Sequence, residues 1–192
     1  NGQIMYQGEW KEEQPHGNGT TYFANGQIRY QGEWKEGAYH GHGTRYSKKN
    51  GQITYRGEWK EGKIHGHGTR YSGDGNIEYH GEWKLGLPDG NGTTYQSEYQ
   101  GEWNVRRYHG HGTRYSKKGQ IIYQGGWKEG SPDGHGTSYL DYGNDQIEYR
   151  GEWKFGKYHG YGTRYFEHGQ VEYQGEWKEG KLDGHGTRYF EN

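Results

Sequence analysis

The sequence predicts an all-β protein: an elongated, single-layer, twisted antiparallel β-meander built from eight repeats of about two strands each. The eight tryptophans recur at spacings of 24, 25, 24, 20, 24, 26 and 24 residues, each within the phrase Y-x-G-E-W or a close variant. A fixed period in this range is typical of repeat architectures. The residues around each tryptophan alternate between apolar and polar, as in a half-buried strand. Short glycine-containing turns separate the alternating segments.

The first strand of each repeat leads up to its tryptophan. In the second repeat, the residues of one parity are Ile28, Tyr30, Gly32 and Trp34. Those of the other parity are Arg29, Gln31, Glu33 and Lys35. Because successive side chains of a strand point to opposite faces, this alternation predicts one aromatic face and one polar face.

A glycine-containing turn, such as residues 35–38, and a second extended segment, such as residues 40–46, follow each first strand. The chain then turns again, in places through Asn-Gly as at Asn25-Gly26, which is a strong hairpin signal because both residues tolerate positive φ. No uninterrupted run of about 10 residues has the period of a helix, so no helix is expected.

Joined end to end, these hairpins predict one continuous array over residues 1–192. Its copies are centred on Trp10, Trp34, Trp59, Trp83, Trp103, Trp127, Trp153 and Trp177. The connection between the fourth and fifth copies lacks the glycine-containing turn and is four residues short. We therefore expect a local bend at residues 95–99.

The two faces of the sheet are expected to differ in chemistry. If Tyr22 lies on the same face as Trp10, each copy contributes several rings to one continuous aromatic surface. Glycines among the rings allow them to lie over neighbouring backbone. The glycines assigned this structural role are Gly8, Gly17, Gly19, Gly41, Gly43, Gly66 and Gly68. On the opposite face, Glu33 and Lys35 are expected near Arg45, giving a charge-balanced, solvated surface.

The composition and charge indicate which classes of structure and partner are not expected. Only 26% of the residues are hydrophobic and 39 are glycine, so an ordinary aliphatic core is not expected. The regular spacing of the aromatic residues argues against disorder. The formal net charge is −1, and the mixed charges form no basic block, so nucleic acid is not expected as a partner. The chain has no cysteine and no apolar stretch approaching the ~20 residues that cross a bilayer.

The recurring segment Y-Q-G-E-W-K-E-G-x-x-H-G-x-G-T resembles the membrane occupation and recognition nexus (MORN) repeat, whose pattern is Y-x-G-x-W-x-x-G-x-x-x-G-x-G. The resemblance covers essentially the whole chain in eight copies. It implies an open, twisted antiparallel sheet with one hairpin per copy. It also implies a scaffold or adaptor for protein partners, often at membranes or the cytoskeleton, and direct phospholipid binding has been proposed for the family.

The same resemblance implies a cytoplasmic, membrane-associated or cytoskeleton-associated location, with an extracellular location as the alternative for a filament subunit. Three residues depart from the repeat pattern. Glu13 and Arg106 stand where most copies have the glycine of the turn, and Gly126 replaces the usual glutamate.

Histidines are the candidates for a metal site. Three His-x-His pairs occur, at His40/His42, His65/His67 and His109/His111. Two histidines at this spacing on a strand share a face and are able to bind a divalent metal. Other copies place Asn18 or Tyr161 at the second position and Asp89 at the first. This interchange favours a structural role for the position, and no metal site is predicted.

Glu9 and its counterparts recur once per repeat, each with a lysine two residues on. The pattern favours solvated Glu–Lys ion pairs over paired catalytic carboxylates. No copy holds a Ser, His or Asp cluster that the others lack, and catalysis requires one asymmetric constellation. We therefore expect no catalytic residue, no cofactor and no enzymatic activity.

The predicted function is a non-enzymatic scaffold or adaptor that presents an elongated aromatic face to a helix or extended peptide of a protein partner. The residues expected to contact the partner are Trp10, Trp34, Trp59, Trp83, Trp103, Trp127, Trp153, Trp177, Tyr30, Tyr55, Tyr79, Tyr123, Tyr149 and Tyr173. The alternative that these rings only stabilise the sheet stays open. So do a structural subunit that polymerises head to tail through exposed edge strands and a membrane- or phospholipid-targeting module of a larger protein, which the mixed charge does not favour.

Overall fold

The computed structural model describes residues 2–95, 98–141 and 145–191. The chain divides into two compact units, residues 1–95 and residues 96–192, called unit 1 and unit 2 below and described separately. The continuity of one array over the whole chain stays a prediction. Residues 96 and 97 of the predicted bend lie outside the described residues.

Every regular element in the described residues is a β-strand. Unit 1 contains β1 (Tyr6–Lys11), β2 (Gln14–Tyr22), β3 (Ile28–Lys35), β4 (Ala38–Tyr46), β5 (Ile53–Lys60), β6 (Lys63–Tyr71), β7 (Ile77–Lys84) and β8 (Leu87–Thr94). Unit 2 contains β9 (Tyr99–Asn104), β10 (Arg107–Tyr115), β11 (Ile121–Lys128), β12 (Ser131–Tyr139), β13 (Ile147–Lys154), β14 (Lys157–Tyr165), β15 (Val171–Lys178) and β16 (Lys181–Arg188). Within each unit, every strand pairs antiparallel with the next along the chain. The all-β antiparallel meander is confirmed.

A two-residue turn closes the hairpin inside each repeat. In the second repeat Lys35 pairs with Ala38, and the φ angles of Glu36 and Gly37 between them are 49° and 74°. Positive φ at both positions defines a type I′ turn, whose twist matches that of the flanking strands. The repeat therefore forms its hairpin from local geometry, and the glycine occupies a position that other residues adopt only with strain.

The register of the first hairpin decides which side chains share a face. Glycine lies opposite glycine there, and this places Thr21 opposite Tyr6. Tyr22 points to the other side, where its hydroxyl donates to Oε1 of Gln7 at 3.3 Å. The prediction that Tyr22 shares a face with Trp10 is therefore wrong. The reason is that the tyrosine ring of the first strand packs on a glycine of the second, so the glycine parity is the one that faces the rings.

The position predicted for Arg45 is wrong for the same reason. Arg45 pairs with Tyr30 on one side and with Tyr55 on the other. It therefore lies on the aromatic face rather than beside Glu33 and Lys35 on the polar one. This places a positive charge within the face that was expected to be purely aromatic.

The core of each unit is made of the tyrosine and the tryptophan of the Y-x-G-E-W phrase. In β3, Tyr30 and Trp34 are buried, whereas Gln31 and Lys35 are exposed. The same two positions are buried in every repeat from the second to the eighth. In the first repeat Trp10 is 58% exposed. We call the surface that carries these rings the tyrosine–tryptophan face of each unit.

Candidate functional site: the tyrosine–tryptophan face

The buried rings form a row that runs from repeat to repeat within a unit. Tyr30 packs edge to face against Trp34 of its own repeat, with ring centroids 5.4 Å apart, and against Trp59 of the next repeat at 5.5 Å. Each aromatic pair of this geometry contributes about 0.5–1.5 kcal/mol beyond its buried area. The row thus joins each hairpin to the following one without a second layer of structure.

The polar atoms of these rings are hydrogen-bonded. The hydroxyl of Tyr30 donates to the carbonyl oxygen of Glu33 at 3.0 Å, and Nε1 of Trp59 donates to the carbonyl oxygen of Gly43 in the preceding repeat at 3.2 Å. Burial raises the pKa of Tyr30 far above its ordinary value, with smaller contributions from Tyr39 and Glu33. The rings are therefore held in fixed positions, and their hydroxyls stay protonated.

Glycines provide the space in which the rings lie. A Cβ at Gly43 would collide with the Tyr30 ring, and one at Gly19 with the Tyr6 ring. Gly68 has the same relation to Tyr55. The rings therefore lie directly over the backbone of the neighbouring strand, as the sequence analysis expected. Of the other glycines singled out there, Gly8 lies against the backbone of the facing strand, and Gly17, Gly41 and Gly66 lie against the carboxylates of glutamates.

A further set of side chains covers the rings from the position opposite each tryptophan. Tyr39 stacks on Tyr30 with centroids 3.8 Å apart and an angle of 12° between the ring planes. The corresponding stacks in unit 2 are Tyr108 on Tyr99 and Tyr158 on Tyr149. Other repeats place Pro15, Ile64, Pro88, Pro132 or Leu182 at this position. The sequence analysis missed this set, although the second residue after each turn is aromatic or otherwise apolar in every copy.

Arginines also lie on the tyrosine–tryptophan face of unit 1. Cζ of Arg45 lies 5.7 Å from the ring centroid of Trp59, and its Nε donates to Oγ1 of Thr54 at 3.2 Å. Cζ of Arg70 lies 4.6 Å from the ring centroid of Trp83. Both distances are within the range of a cation–π contact. Burial lowers the pKa of Arg45, partly offset by the nearby tyrosines.

In unit 2 two of the equivalent arginines, Arg164 and Arg188, have a carboxylate partner. Nε of Arg164 lies 3.1 Å from Oε2 of Glu172, and Nη2 of Arg188 lies 3.5 Å from Oε1 of the same residue. Glu148 similarly accepts a hydrogen bond from Oγ of Ser138 at 3.0 Å. The tyrosine–tryptophan face of this part of unit 2 is therefore neutralised by its own side chains.

The glutamate of each repeat has a structural role that the sequence analysis missed. Oε1 of Glu33 accepts a hydrogen bond from the backbone N–H of His42 at 2.8 Å, within a bulge where Gly41 has a φ of 49°. Nδ1 of His42 lies 3.7 Å from the same carboxylate. The same backbone bond recurs in the pairs Glu9/Asn18, Glu58/His67, Glu82/Asn91, Glu102/His111, Glu152/Tyr161 and Glu176/His185.

The predicted Glu–Lys ion pairs are therefore wrong. In the part of the chain that the structure describes, the side-chain nitrogens that lie within 4 Å of these glutamates belong to histidines and not to lysines. The carboxylate bends into the bulge of the facing strand, which takes it away from the lysine two residues on. Gly126 has no side chain to fill the bulge of the sixth repeat, and the space at Gly134 is open.

The sequence model of the MORN repeat family matches residues 6–28, 30–52, 55–77, 79–97, 123–140, 149–171 and 173–192. These segments cover more than half of the chain. The chain belongs to the MORN-repeat family. A comparison with curated proteins gave no match. The resemblance seen in the sequence is thus confirmed, and MORN repeats are generally involved in protein or membrane interactions and generally non-enzymatic.

The MORN repeat centred on Trp103 lies outside the matched segments. Its rings are nevertheless placed as in the other repeats, since Tyr99 and Trp103 are buried and their centroids lie 5.3 Å apart. The departure is in its turn, where Val105 and Arg106 both have positive φ. The ring packing therefore tolerates a turn that lacks glycine.

The structure places the predicted partner-binding residues mostly in the core of the MORN units. The buried ones are Trp34, Trp59, Trp83, Trp103, Trp127, Trp153, Trp177, Tyr30, Tyr55, Tyr79, Tyr123, Tyr149 and Tyr173. Trp10 is the exposed member of the set. The role of these residues in binding stays a prediction, and the side chains that cover the rings now belong to the candidate site as well.

The described residues contain no group of three or more His, Cys, Asp or Glu side chains arranged to hold a metal ion. Within the same residues, no helix is long and apolar enough to cross a membrane. A cavity of about 510 Å³ in unit 2 is lined by Glu98, Tyr108, Arg114, Tyr115, Ser116, Lys117, Lys118, Ile122 and Asp141. Its charges are of both signs, so no class of small ligand follows from it.

Proposed function

We propose that this MORN-repeat protein is a non-enzymatic scaffold or adaptor that binds a protein partner through the tyrosine–tryptophan face. The observation that supports the proposal most is the single layer of each unit. Among the described residues of a unit, all regular structure belongs to the meander itself. A sheet normally buries its apolar face against a second layer, and a partner would supply that layer here.

The contact surface that we propose consists of the side chains that cover the rings. In unit 1 these include Tyr39, Arg45 and Thr54, each of which is half-buried. The tryptophans and tyrosines beneath them would act as a rigid support that fixes the covering side chains before the partner arrives. Such preorganisation lowers the entropy lost on binding. The residues predicted from the sequence would then contribute to binding chiefly through the positions of their neighbours.

The absence of cysteine from the sequence allows a test of which face is used. The substitution T54C allows a bulky maleimide label to be attached on the tyrosine–tryptophan face, next to Arg45. The matched control is T44C, on the opposite face, where Thr44 lies between Gln31 and Arg56. Both threonines are half-buried, and circular dichroism of the unlabelled variants checks that both fold.

Peptides are selected from a random display library on the full chain, and their affinity is measured for both labelled variants. We expect the label on T54C to weaken binding at least about tenfold, because it occupies the contact surface, and the label on T44C to change it less than about twofold. Equal losses at the two positions, or a loss confined to T44C, would contradict the proposal.

A further inference from the structure

Arg45 is the most unusual charged residue on the tyrosine–tryptophan face. It is half-buried, and burying a charge is costly unless a partner of opposite charge is present. Its Nε donates a hydrogen bond to the hydroxyl oxygen of Thr54. Among the residues that the structure describes, no carboxylate lies within ion-pairing distance of its guanidinium.

Unit 2 shows how the same position is neutralised by the fold. Arg45 pairs with Tyr55 as Arg164 pairs with Tyr173. Thr54 and Glu172 each directly precede those tyrosines, and each contacts the arginine of the preceding repeat. Beside Arg45, a threonine therefore stands at the position of the glutamate that balances the charge of Arg164. The tyrosine–tryptophan face of unit 1 keeps a positive charge that the fold itself does not neutralise.

The position of Arg45 is also fixed. Its guanidinium lies over the Trp59 ring, and its backbone carbonyl accepts a hydrogen bond from the Thr54 hydroxyl at 3.1 Å. A guanidinium held in this way has little conformational freedom left to lose on binding. Its planar donors match a carboxylate in a bidentate arrangement. Cζ of Arg70 lies over the Trp83 ring in the same way, two strands farther along the sheet.

From these observations we infer that the tyrosine–tryptophan face of unit 1 binds an acidic protein segment, one carboxylate of which pairs with Arg45. The inference rests on the proposed function and specifies the chemistry of the partner. The acidic segment supplies to Arg45 what Glu172 supplies to Arg164. The part of unit 2 around Arg164 and Arg188 differs in its preference because these two arginines are already paired with Glu172.

The test uses the same display library, selected in parallel on the full chain and on two variants. R45Q removes the charge, and T54E places beside Arg45 the carboxylate that unit 2 has. R164Q is the matched control, since it removes an arginine already paired with Glu172. Thermal unfolding measures whether each variant keeps its fold.

We expect the peptides enriched on the full chain to contain an excess of Asp and Glu. Their affinity should fall about tenfold in both R45Q and T54E, as for the loss of one charge-assisted pair, and change less than about twofold in R164Q. Replacing the acidic residues of a selected peptide with their amides should cause a similar loss. R45Q and T54E change the site in opposite ways, so a fall in both does not come from misfolding of one.

The outcomes separate this inference from the proposed function. If the label on T54C blocks the peptides but they carry no acidic excess, or if R45Q binds them as tightly as the full chain, the inference is overturned and the proposed function stands. If the label does not block them, or if no peptide is enriched, both are contradicted. Flotation with vesicles containing phosphatidylinositol phosphates tests a lipid in place of a protein, and Arg45-dependent binding to them without peptide selectivity would also overturn the inference.

Discussion

At Gly43 the ring of Tyr30 occupies the space that a Cβ would take. The hydroxyl of the same ring is bonded to the backbone of Glu33, so the ring has no room to move away. This arrangement recurs because each repeat carries the same glycine and the same tyrosine. Close approach of ring and backbone therefore replaces the aliphatic packing that the composition does not provide.

We predict that G43A lowers the free energy of unfolding by about 2–3 kcal/mol, since an added carbon in a tightly packed site forces the ring or the strand to shift. The control is G26A, at a turn position with a φ of 83° and nothing within 4 Å of the added carbon. Its cost is expected to be about 1 kcal/mol, from backbone strain alone. Urea unfolding of both variants measures the difference. If the free energy of unfolding falls no more in G43A than in G26A, the close-packing argument is contradicted.

The glutamates show a limit of residue-level reasoning from sequence. The pattern of Glu and Lys on one strand predicted an ion pair, because the two side chains share a face. The structure shows the carboxylate of Glu33 bonded to a backbone N–H of the facing strand. A bulge in one strand cannot be located from the sequence of the other, so this partner was not predictable from alternation.

At the scale of the hairpin, the conformation of the turn determines how easily each repeat folds. Most repeats place glycine second in the turn, as at Gly37 with a φ of 74°. The fifth repeat has Val105 and Arg106 with φ angles of 44° and 68°. Left-handed backbone is unfavourable for such residues, and a β-branched residue there is uncommon. This hairpin is therefore more strained than those with glycine at the second turn position.

We predict that R106G raises the stability of the chain by about 1 kcal/mol, because glycine adopts this conformation without steric cost. The reverse change in the neighbouring repeat, G130R, is the matched control and should lower stability by a similar amount, since Gly130 has a φ of 85°. Thermal unfolding followed by circular dichroism compares the two. A lower unfolding temperature for R106G would contradict the strain argument.

Element by element, the sequence predicted strands, turns and their order, since periodicity and Gly-containing turns are local signals. It placed Tyr22 and Arg45 on the wrong faces. Which parity of the second strand meets the rings depends on the pairing register, and here register follows from the contact between a ring and a glycine on two strands. That contact joins two strands and exists only in the folded sheet. The same register places Arg45 over Trp59.

At the scale of the whole molecule, buried tyrosines link the stability of both units to pH. Burial is the main cause that raises the pKa of Tyr30, Tyr55, Tyr79, Tyr99, Tyr123, Tyr149 and Tyr158 above the ordinary value of 10.0. For Tyr158 it reaches about 12. In the unfolded chain these hydroxyls ionise near pH 10, so above that pH the native state holds more protons than the unfolded state.

The stabilising effect of these neutral hydroxyls is therefore fully present below pH 10 and lost as the pH rises toward 12 and beyond. Each additional proton held by the native state lowers the free energy of unfolding by about 1.4 kcal/mol per pH unit. We predict a nearly constant stability between pH 7 and pH 9 and a steep fall above pH 10, measured by urea unfolding at each pH. Ionisation of all tyrosines at pH 10–11, seen by ultraviolet absorbance while the near-ultraviolet circular dichroism stays native, would contradict it.

The sequence by itself determined the repeat, its family, the all-β antiparallel fold and the tyrosines and tryptophans that share one face, because each of these follows from local periodicity and residue type. Head-to-tail association through edge strands and direct lipid binding remain predictions. Only the tertiary structure decided that the rings are buried by one another, that the glutamates fill backbone bulges and that Arg45 is unbalanced while Arg164 is paired. Those facts depend on register and on contacts between repeats. A sequence pattern that is the same in every copy does not specify which neighbouring residue a side chain contacts.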